Sequence, residues 1–424
     1  MTATIERPAV LVTNPRRWRA LAAVALGQLM IAADGTIVNL ALPSIQREFG
    51  TSSQVTAWIA MSFGLCYGGL LLVGGRLADV LGLRRCLLAG LAGFATGSLL
   101  AGAATHPGVL IAGRILQGGF GALFTPSVLA LIGTSFTKPA ERAKAMGIYA
   151  TVMGSSSGVG LLLGGVATDA LGWRWSLYVA IPIAVVAAVG ILHAVPVSDP
   201  RPGARVDVLG AVLVTAGLVT LSYAASRVAR SGWQTSEVGI WLGAAALIGG
   251  FVWWQGRAEQ PLLPLWVVRD RLRATGYLSV LCFAMGTFAA MYALTFHIQH
   301  TLGHPPVLAG LMMLPYPAAI MCAARLVGRL LARGVARRLL GGGLLICAMA
   351  VAVQSQLPTT GIVGPMVVVT LLGLATGLVL PPANSVATLG RDPGVAGALV
   401  MISMQVGAAL GIAGFGDLLI PDTR

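Results

Sequence analysis

Apolar runs long enough to cross a bilayer recur along the whole sequence. They lie near 18–43, 54–75, 86–104, 107–132, 143–168 and 175–195, then near 206–226, 236–254, 275–298, 307–331, 338–357, 361–388 and 394–418. Each approaches or exceeds the roughly 20 residues a helix needs to span about 30 Å of hydrocarbon. Backbone polar groups inside hydrocarbon are satisfied only in a helix or a closed barrel, and runs this continuous select the helix. About 13 spanning helices follow, so the fold class is an all-α polytopic membrane protein. Composition closes off the soluble alternative, because 56% of the residues are hydrophobic, 10% are charged and the mean hydropathy is +0.84.

Charge reports topology. A net charge of +14 could indicate nucleic acid, but the basic residues sit in short clusters between apolar runs. With a cytoplasmic N-terminus, the inner segments carry Arg7, Arg16, Arg17 and Arg19, then Arg76, Arg84 and Arg85, then Lys138, Arg142 and Lys144. Later inner segments carry Arg201 and Arg205, then Arg257, Arg269, Arg271 and Arg273, then Arg325 through Arg338, and Arg391. The outer segments hold only Arg47, Arg174, Arg227, Arg230 and Arg424, which is the bias of a positive-inside topology. The expected partner is therefore the lipid bilayer, with no nucleic acid, and the chain is expected to cross a membrane many times. No G-x-x-x-x-G-K-[ST] loop is present, which excludes ATP-driven transport within this chain. No constellation of catalytic polar groups appears on the loops, so an enzyme is not expected. Cys66, Cys86, Cys282, Cys322 and Cys347 are widely spaced and read as packing residues, with no metal or other cofactor implied. Trp173, Trp175, Trp253, Trp254 and Trp266 fall at span ends, where aromatic residues anchor helices at the interface.

Asp34 interrupts the first run. An ionised carboxylate at that depth costs on the order of 2.5–3.5 kcal/mol, so it should line a polar cavity and not face lipid. Gln28, Thr36 and Asn39 add polar groups to the same helix. With Pro43 as the outer helix end, Asp34 lies roughly 13 Å inside, and Arg114 lies roughly 10 Å inside the outer end of the fourth span at Pro107. Antiparallel travel brings the two to similar depth. A nearby guanidinium favours an ionised carboxylate, and burial without that partner favours the protonated one. A conformational change that alters the separation would load and unload a proton, with Asp34 titrating and Arg114, which holds its proton, tuning. Gln117, one turn beyond Arg114, can bond either side chain or a substrate. His193 and His297 near helix ends and His300 in a loop read as interfacial groups, while Asn384 and Gln405 add polar lining on late spans.

An internal repeat appears at an offset of about 253 to 255 residues. GRLADVLGLRR at 75–85 recurs as GRLLARGVARR at 328–338, and Gly118 and Pro126 recur as Gly373 and Pro381. The same order at the same offset indicates two related helical bundles. The expected organisation is an N-terminal six-helix bundle over 1–195, two inserted helices with their loops over 196–258, and a five-helix C-terminal bundle over 259–424.

These residues also carry a family resemblance. GGRLADVLGLRR between the second and third spans resembles the major facilitator motif G-x-L-a-D-x-x-G-r-[RK], and RILQGGFGAL in the fourth span resembles that superfamily's R-x-x-Q-G motif. The first-span LMIAADGTIVNLALP is similar to the D-x-T-I-V-N-x-A-L-P segment of the fourteen-span drug:proton antiporter family, and WRWSLYVAIPI also matches that family. The resemblance implies a major facilitator fold and a bacterial plasma-membrane exporter of drugs or antibiotics, driven by a proton gradient without a cofactor and acting as a monomer. It also implies a conformational latch at Gly75, Asp79, Gly82, Arg84 and Arg85, made and broken as the two halves rock. The family's fifth-span G-P-x-x-G-G motif stands here as Gly160, Leu161, Leu162, Leu163, Gly164 and Gly165, without its proline but with the glycines that let helices approach. The loop motif has Val80 and Leu83 at two basic positions, and Ala332 replaces the acid in its second copy. The sequence stops at PDTR after the thirteenth span, with Asp417 and Asp422 near its end. That ending sets the expectation of a shortened fourteen-span carrier whose C-terminus lies outside.

A lone intramembrane acid with apolar surroundings suits a lipophilic substrate. The tenth span, VLAGLMMLPYPAAIMCAARLVG, contributes no acid, so monocationic or neutral compounds are the expected cargo. A nutrient or metabolite symporter or facilitator on the same scaffold, or a non-transporting membrane remnant, are the competing expectations.

Overall fold

The computed structural model describes residues 16–197, 205–231, 235–264, 270–331, 335–357, 361–388, 393–415 and 419. The side chains of Arg7, Arg201, Trp266, Arg269, Ala332, Arg391, Asp417, Asp422 and Arg424 lie outside the described residues, as do those of Arg230 and Arg329 within helices.

The N-terminal part comprises α1 (Arg17–Phe49), α2 (Ser53–Leu81), α3 (Leu83–Gly102), α4 (Pro107–Ser135), α5 (Pro139–Leu171), α6 (Trp173–Tyr178) and α7 (Ala180–Ala194). A hairpin of α8 (Val208–Ser231) and α9 (Thr235–Gln255) follows. The C-terminal part comprises α10 (Arg271–Phe296), a π-helical turn (His297–Thr301), α11 (Pro306–Met312), α12 (Pro315–Leu331), α13 (Ala336–Gln354), α14 (Val363–Thr388) and α15 (Pro393–Phe415). Among the described residues, 13 helical segments are long and apolar enough to cross a membrane. The sixth span is broken into α6 and α7, and the tenth into α11 and α12.

Local chemistry sets the helix ends. Proline opens α4, α5 and α11 at a position whose N–H would have no helical partner. Asp270 caps α10 by accepting from the Leu272 N–H at 2.9 Å. Gly82, at φ 87°, makes the one-residue turn from α2 to α3, a conformation that a side chain would strain. Pro43 does not end α1. The helix runs through it to Phe49, with Gly50 in the left-handed conformation as its cap. Asp34 therefore lies roughly 22 Å from the C-terminal end of α1, farther than a helix ending at Pro43 allows.

Two apolar cores define the bundles. One gathers α1, α2, α3, α4, α5 and α7 around Phe63, Phe94, Phe124 and Tyr149, and the other gathers α10 to α15 around Phe283, Val368, Leu372 and Val379. Leu40 of α1 and Leu161 of α5 belong to the second core, while Tyr292 and Phe296 of α10 pack with Val38, Leu42 and Ile45 of α1. The halves of the bundles on the side of the α1 C-terminus are thus closed on each other. The hairpin helix α8 touches both bundles, since Leu218 packs with Met61 and Leu65 of α2 and with Ala409 of α15.

Candidate functional site

At the centre of the N-terminal bundle, the Arg114 guanidinium on α4 pairs with the Asp34 carboxylate on α1 through Nη1 and Oδ2. Arg114 Nη1 also donates to Gln117 Oε1 at 2.8 Å. Gln117 Nε2 donates to Asp34 Oδ1 at 3.1 Å and to Ser98 Oγ of α3 at 2.8 Å. The guanidinium lies 4.7 Å from the ring centroid of Phe63 on α2, a cation–π contact. Asp34, Arg114, Gln117 and Ser98 are all buried, with exposures of 3%, 1%, 0% and 0%. Four helices therefore meet at one charged pair, whose attraction is strengthened by the low dielectric around it and whose separation leaves a buried charge.

Small residues permit this convergence. A Cβ at Gly97 of α3 would sit 2.8 Å from the Gly113 carbonyl oxygen and the Gln117 nitrogen of α4, and one at Gly118 would collide with the Phe63 carbonyl of α2. The glycines around Arg114 and Gln117 thus let α4 seat against α2 and α3, and the arginine is carried to the acid by that packing. On the other side of Asp34, a cleft of about 20 Å³ lies between α1, α5 and the α6–α7 corner, walled by Ala33, Leu163, Val179 and Ile183. That is room for one water beside the carboxylate.

The sequence pointed to Asp34, Arg114 and Gln117, and the structure brings all three together. Ser98 and Phe63 were not singled out. Their only signal was register: each faces α4 at the depth of Arg114. The remaining polar residues of α1 go elsewhere. Thr36 bonds its own helix at Ala33 O, while Asn39 crosses to α10, donating to Thr295 Oγ1 at 3.1 Å and Met291 O at 3.3 Å. Gln299 on the π-turn returns the contact, donating to the Leu40 carbonyl at 2.9 Å. These bonds form a polar seam between the bundles at the end that the charge bias expects to lie outside.

Gly160 and Gly164 of α5 face α1 around Asp34: a Cβ on the first would strike Thr36 and Ala33 O, and one on the second would lie 2.8 Å from Ile37 Cα. Gly165 points the other way, 3.1 Å from Pro306 O and Val307 Cα of α11. Either side of the Gly82 turn, Arg84 of α3 donates to the Leu192 carbonyl at the end of α7 at 2.8 Å, and Arg76 of α2 donates to Pro261 O beyond the hairpin at 3.3 Å. Asp79 is half-buried at the same helix end, Arg85 is exposed, and a Cβ at Gly75 would lie 3.7 Å from Pro126. His193 is exposed at the end of α7, and His300 is exposed with its ring edge-on to Phe296. His297 departs from an interfacial role, because its ring is fully buried within the C-terminal bundle. Gln405 of α15 reaches across to α2 and fills the space left by Gly64 and Gly68, whereas Asn384 is exposed and bonds its own helix.

Comparison with known proteins follows the same lines. Residues 24–412 match the Major Facilitator Superfamily. The chain is 41% identical to the puromycin resistance protein pur8 of Streptomyces alboniger, over 96% of this chain and 83% of that protein. It is 32% identical to the probable actinorhodin transporter of Streptomyces coelicolor, over 95% and 72%, and 31% identical to the tetracenomycin C resistance and export protein of Streptomyces glaucescens, over 99% and 80%. In fold it is similar to the peptide transporter POT solved with sulfate, at TM-score 0.67 and 15% identity over 95% of this chain and 93% of that one. A bacterial homolog of the lysosomal transporter Spinster superposes at TM-score 0.65 and 16% identity, over 95% and 81%. The chain thus belongs to the major facilitator superfamily, as a multi-pass membrane transporter and not an enzyme.

Proposed function

We propose that the protein exports lipophilic, monocationic or neutral drugs or antibiotics in exchange for protons, by alternating access between the two bundles. The observation that carries this reading is the buried Asp34–Arg114–Gln117 network. It is a titratable carboxylate held by a guanidinium on another helix, in a place where neither group could sit unpaired without a cost of about 3–5 kcal/mol. Rearrangement of α1 against α4 would part the pair and let the carboxylate take a proton. Return to the present arrangement would expel that proton as Arg114 re-engages. The antibiotic resistance and export proteins among the relatives support a drug as cargo, and the loop residues Gly75, Asp79, Gly82, Arg84 and Arg85 serve as the inner latch.

The test is proton movement in inside-out vesicles on addition of puromycin or a lipophilic monocation. The wild type should show drug-stimulated proton release from the lumen, and Asp34→Asn should lose it while remaining in the membrane, because Asn preserves shape and removes the titrating group. Asp34→Asn vesicles that keep full dependence of efflux on the pH gradient would remove Asp34 from the mechanism. Accumulation of the compound in the opposite direction would favour a symporter.

A further inference from the structure

The C-terminal bundle has no carboxylate of its own within its spans, since Asp392 is the only acidic residue between Arg271 and Phe415. It does hold a buried imidazole. His297 has no exposure, and neither ring nitrogen has a hydrogen-bond partner among the described residues. Gln354, the last residue of α13, is equally buried, with both amide atoms unpartnered.

Helix geometry relates the two residues. α10 and α13 pack where a Cβ at Gly286 would lie 3.0 Å from Cys347 Sγ and 3.5 Å from Val351, and Thr287 Oγ1 lies 3.6 Å from the same sulfur. Roughly three turns outward from Gly286 on the same face of α10 is His297, and roughly two turns outward from Cys347 on the same face of α13 is Gln354. Both helices run outward, so Gln354 sits about one turn below His297 on a shared buried strip, and helical side chains tilt back toward the N-terminus, which aims the ring toward the amide. His297 also opens the π-turn, a rare form of helix that recurs at functional sites. The next residue but one, Gln299, makes the seam bond to Leu40. One short turn therefore holds an imidazole inside the C-terminal bundle and a hydrogen bond between the bundles.

We infer that His297 is a second proton-binding site, that the Gln354 amide oxygen, unbonded in this structure, turns to accept from the ring once it is protonated, and that a proton bound there loosens the π-turn and opens the outer seam. A neutral ring is tolerated in this strip. A cation there demands an acceptor and water, and opening of the outer end supplies both. The other charged or titratable groups at this end include Arg47 on α1, Glu48 held by Trp173 and Arg174, Asp169 on α5, Tyr292 on α10, His300 on the π-turn, His304 after it, Tyr316 on α12 and Cys347 on α13. α11 and the outer half of α14 carry none. The inference rests on the proton-driven reading only for the direction in which a gradient would act.

The test uses the full chain in liposomes, with spin labels at Ser52→Cys and Gln356→Cys and with Cys66, Cys282 and Cys322 replaced by Ser. The Asp34→Asn background removes the first proton site. Acidification from about pH 8 to about pH 5.5 should still shift the label distance to longer values, and His297→Gln should abolish that shift. Gln354→Leu should displace its midpoint. Survival of the shift in His297→Gln, or its absence in Asp34→Asn with His297 intact, would overturn the proposal. Should His297→Gln fail to fold, nitrogen NMR of the histidine rings in the otherwise native chain decides, because a buried ring that stays neutral throughout that range also overturns it. A seam that responds to acid in a protein that moves no drug would count against the proposed function and leave this inference standing.

Discussion

Arg114 does three things at once: it pairs with Asp34, donates to Gln117 and lies over Phe63. Lysine can supply the charge but neither the flat fork nor the stacked face. Arg114→Lys is therefore expected to keep measurable efflux while lowering its rate by about tenfold, the effect of about 1.4 kcal/mol, read as initial rates in vesicles at matched protein density. Gln117→Leu should be the milder lesion, since Asp34 keeps its arginine and loses one neutral donor. At this scale the sequence was highly legible. A carboxylate inside an apolar run demands a partner, and Arg114 was the cation at matching depth. Ser98 and Phe63 were not legible, because a serine or phenylalanine in a span is ordinary until the helix facing it is known. His297 was misplaced for a related reason: distance from a helix end says nothing about which face the residue occupies.

Among the elements, α5 shows how much a helix can depend on missing side chains. Gly160 and Gly164 bring it against α1 beside Asp34, so the first-span acid and the fifth-span glycines form one packing unit. Gly160→Val should cost about 1–3 kcal/mol by overpacking and lower the thermal midpoint of the detergent-purified protein. Gly154→Ala, on the same helix but with open space at its Cβ, should leave it unchanged. An unaltered midpoint in Gly160→Val would show that α1 and α5 are not packed as described. The seam offers a second check on elements. Asn39→Ala with Gln299→Ala removes the side-chain donors from α1 to α10 and from the π-turn to α1, and should raise labelling of an outer-seam cysteine several-fold. Hydropathy found the spans, but it missed the breaks at Val179 and near Met313 and the continuation of α1 through Pro43. Those depend on neighbours: a proline within a spanning helix is tolerated where surrounding helices satisfy the carbonyl it frees.

For the whole molecule, the repeat and the length of its offset set the expectation of two bundles with a helical hairpin between them, and among the described residues two large apolar cores stand on either side of α8 and α9 in the sequence. Which bundle the hairpin would touch was beyond reach, and α8 touches both. Cargo is also a property of the whole, since the acid count of all the spans sets the charge that can be held. With Asp34 the one carboxylate in the central network, a panel of lipophilic mono- and dications in an efflux assay should favour the monocations, and stronger efflux of the dications would refute that assignment. The outer seam carries a further consequence. Its three inter-bundle hydrogen bonds, at about 0.6 kcal/mol each within a membrane, amount to about 2 kcal/mol. One elementary charge falling through 100 mV of membrane potential releases about 2.3 kcal/mol. The polar closure is thus matched to the electrical work of a single proton, so voltage alone, imposed by a potassium gradient with valinomycin at equal pH, should raise labelling of a cysteine introduced as Ser52→Cys in the otherwise native chain.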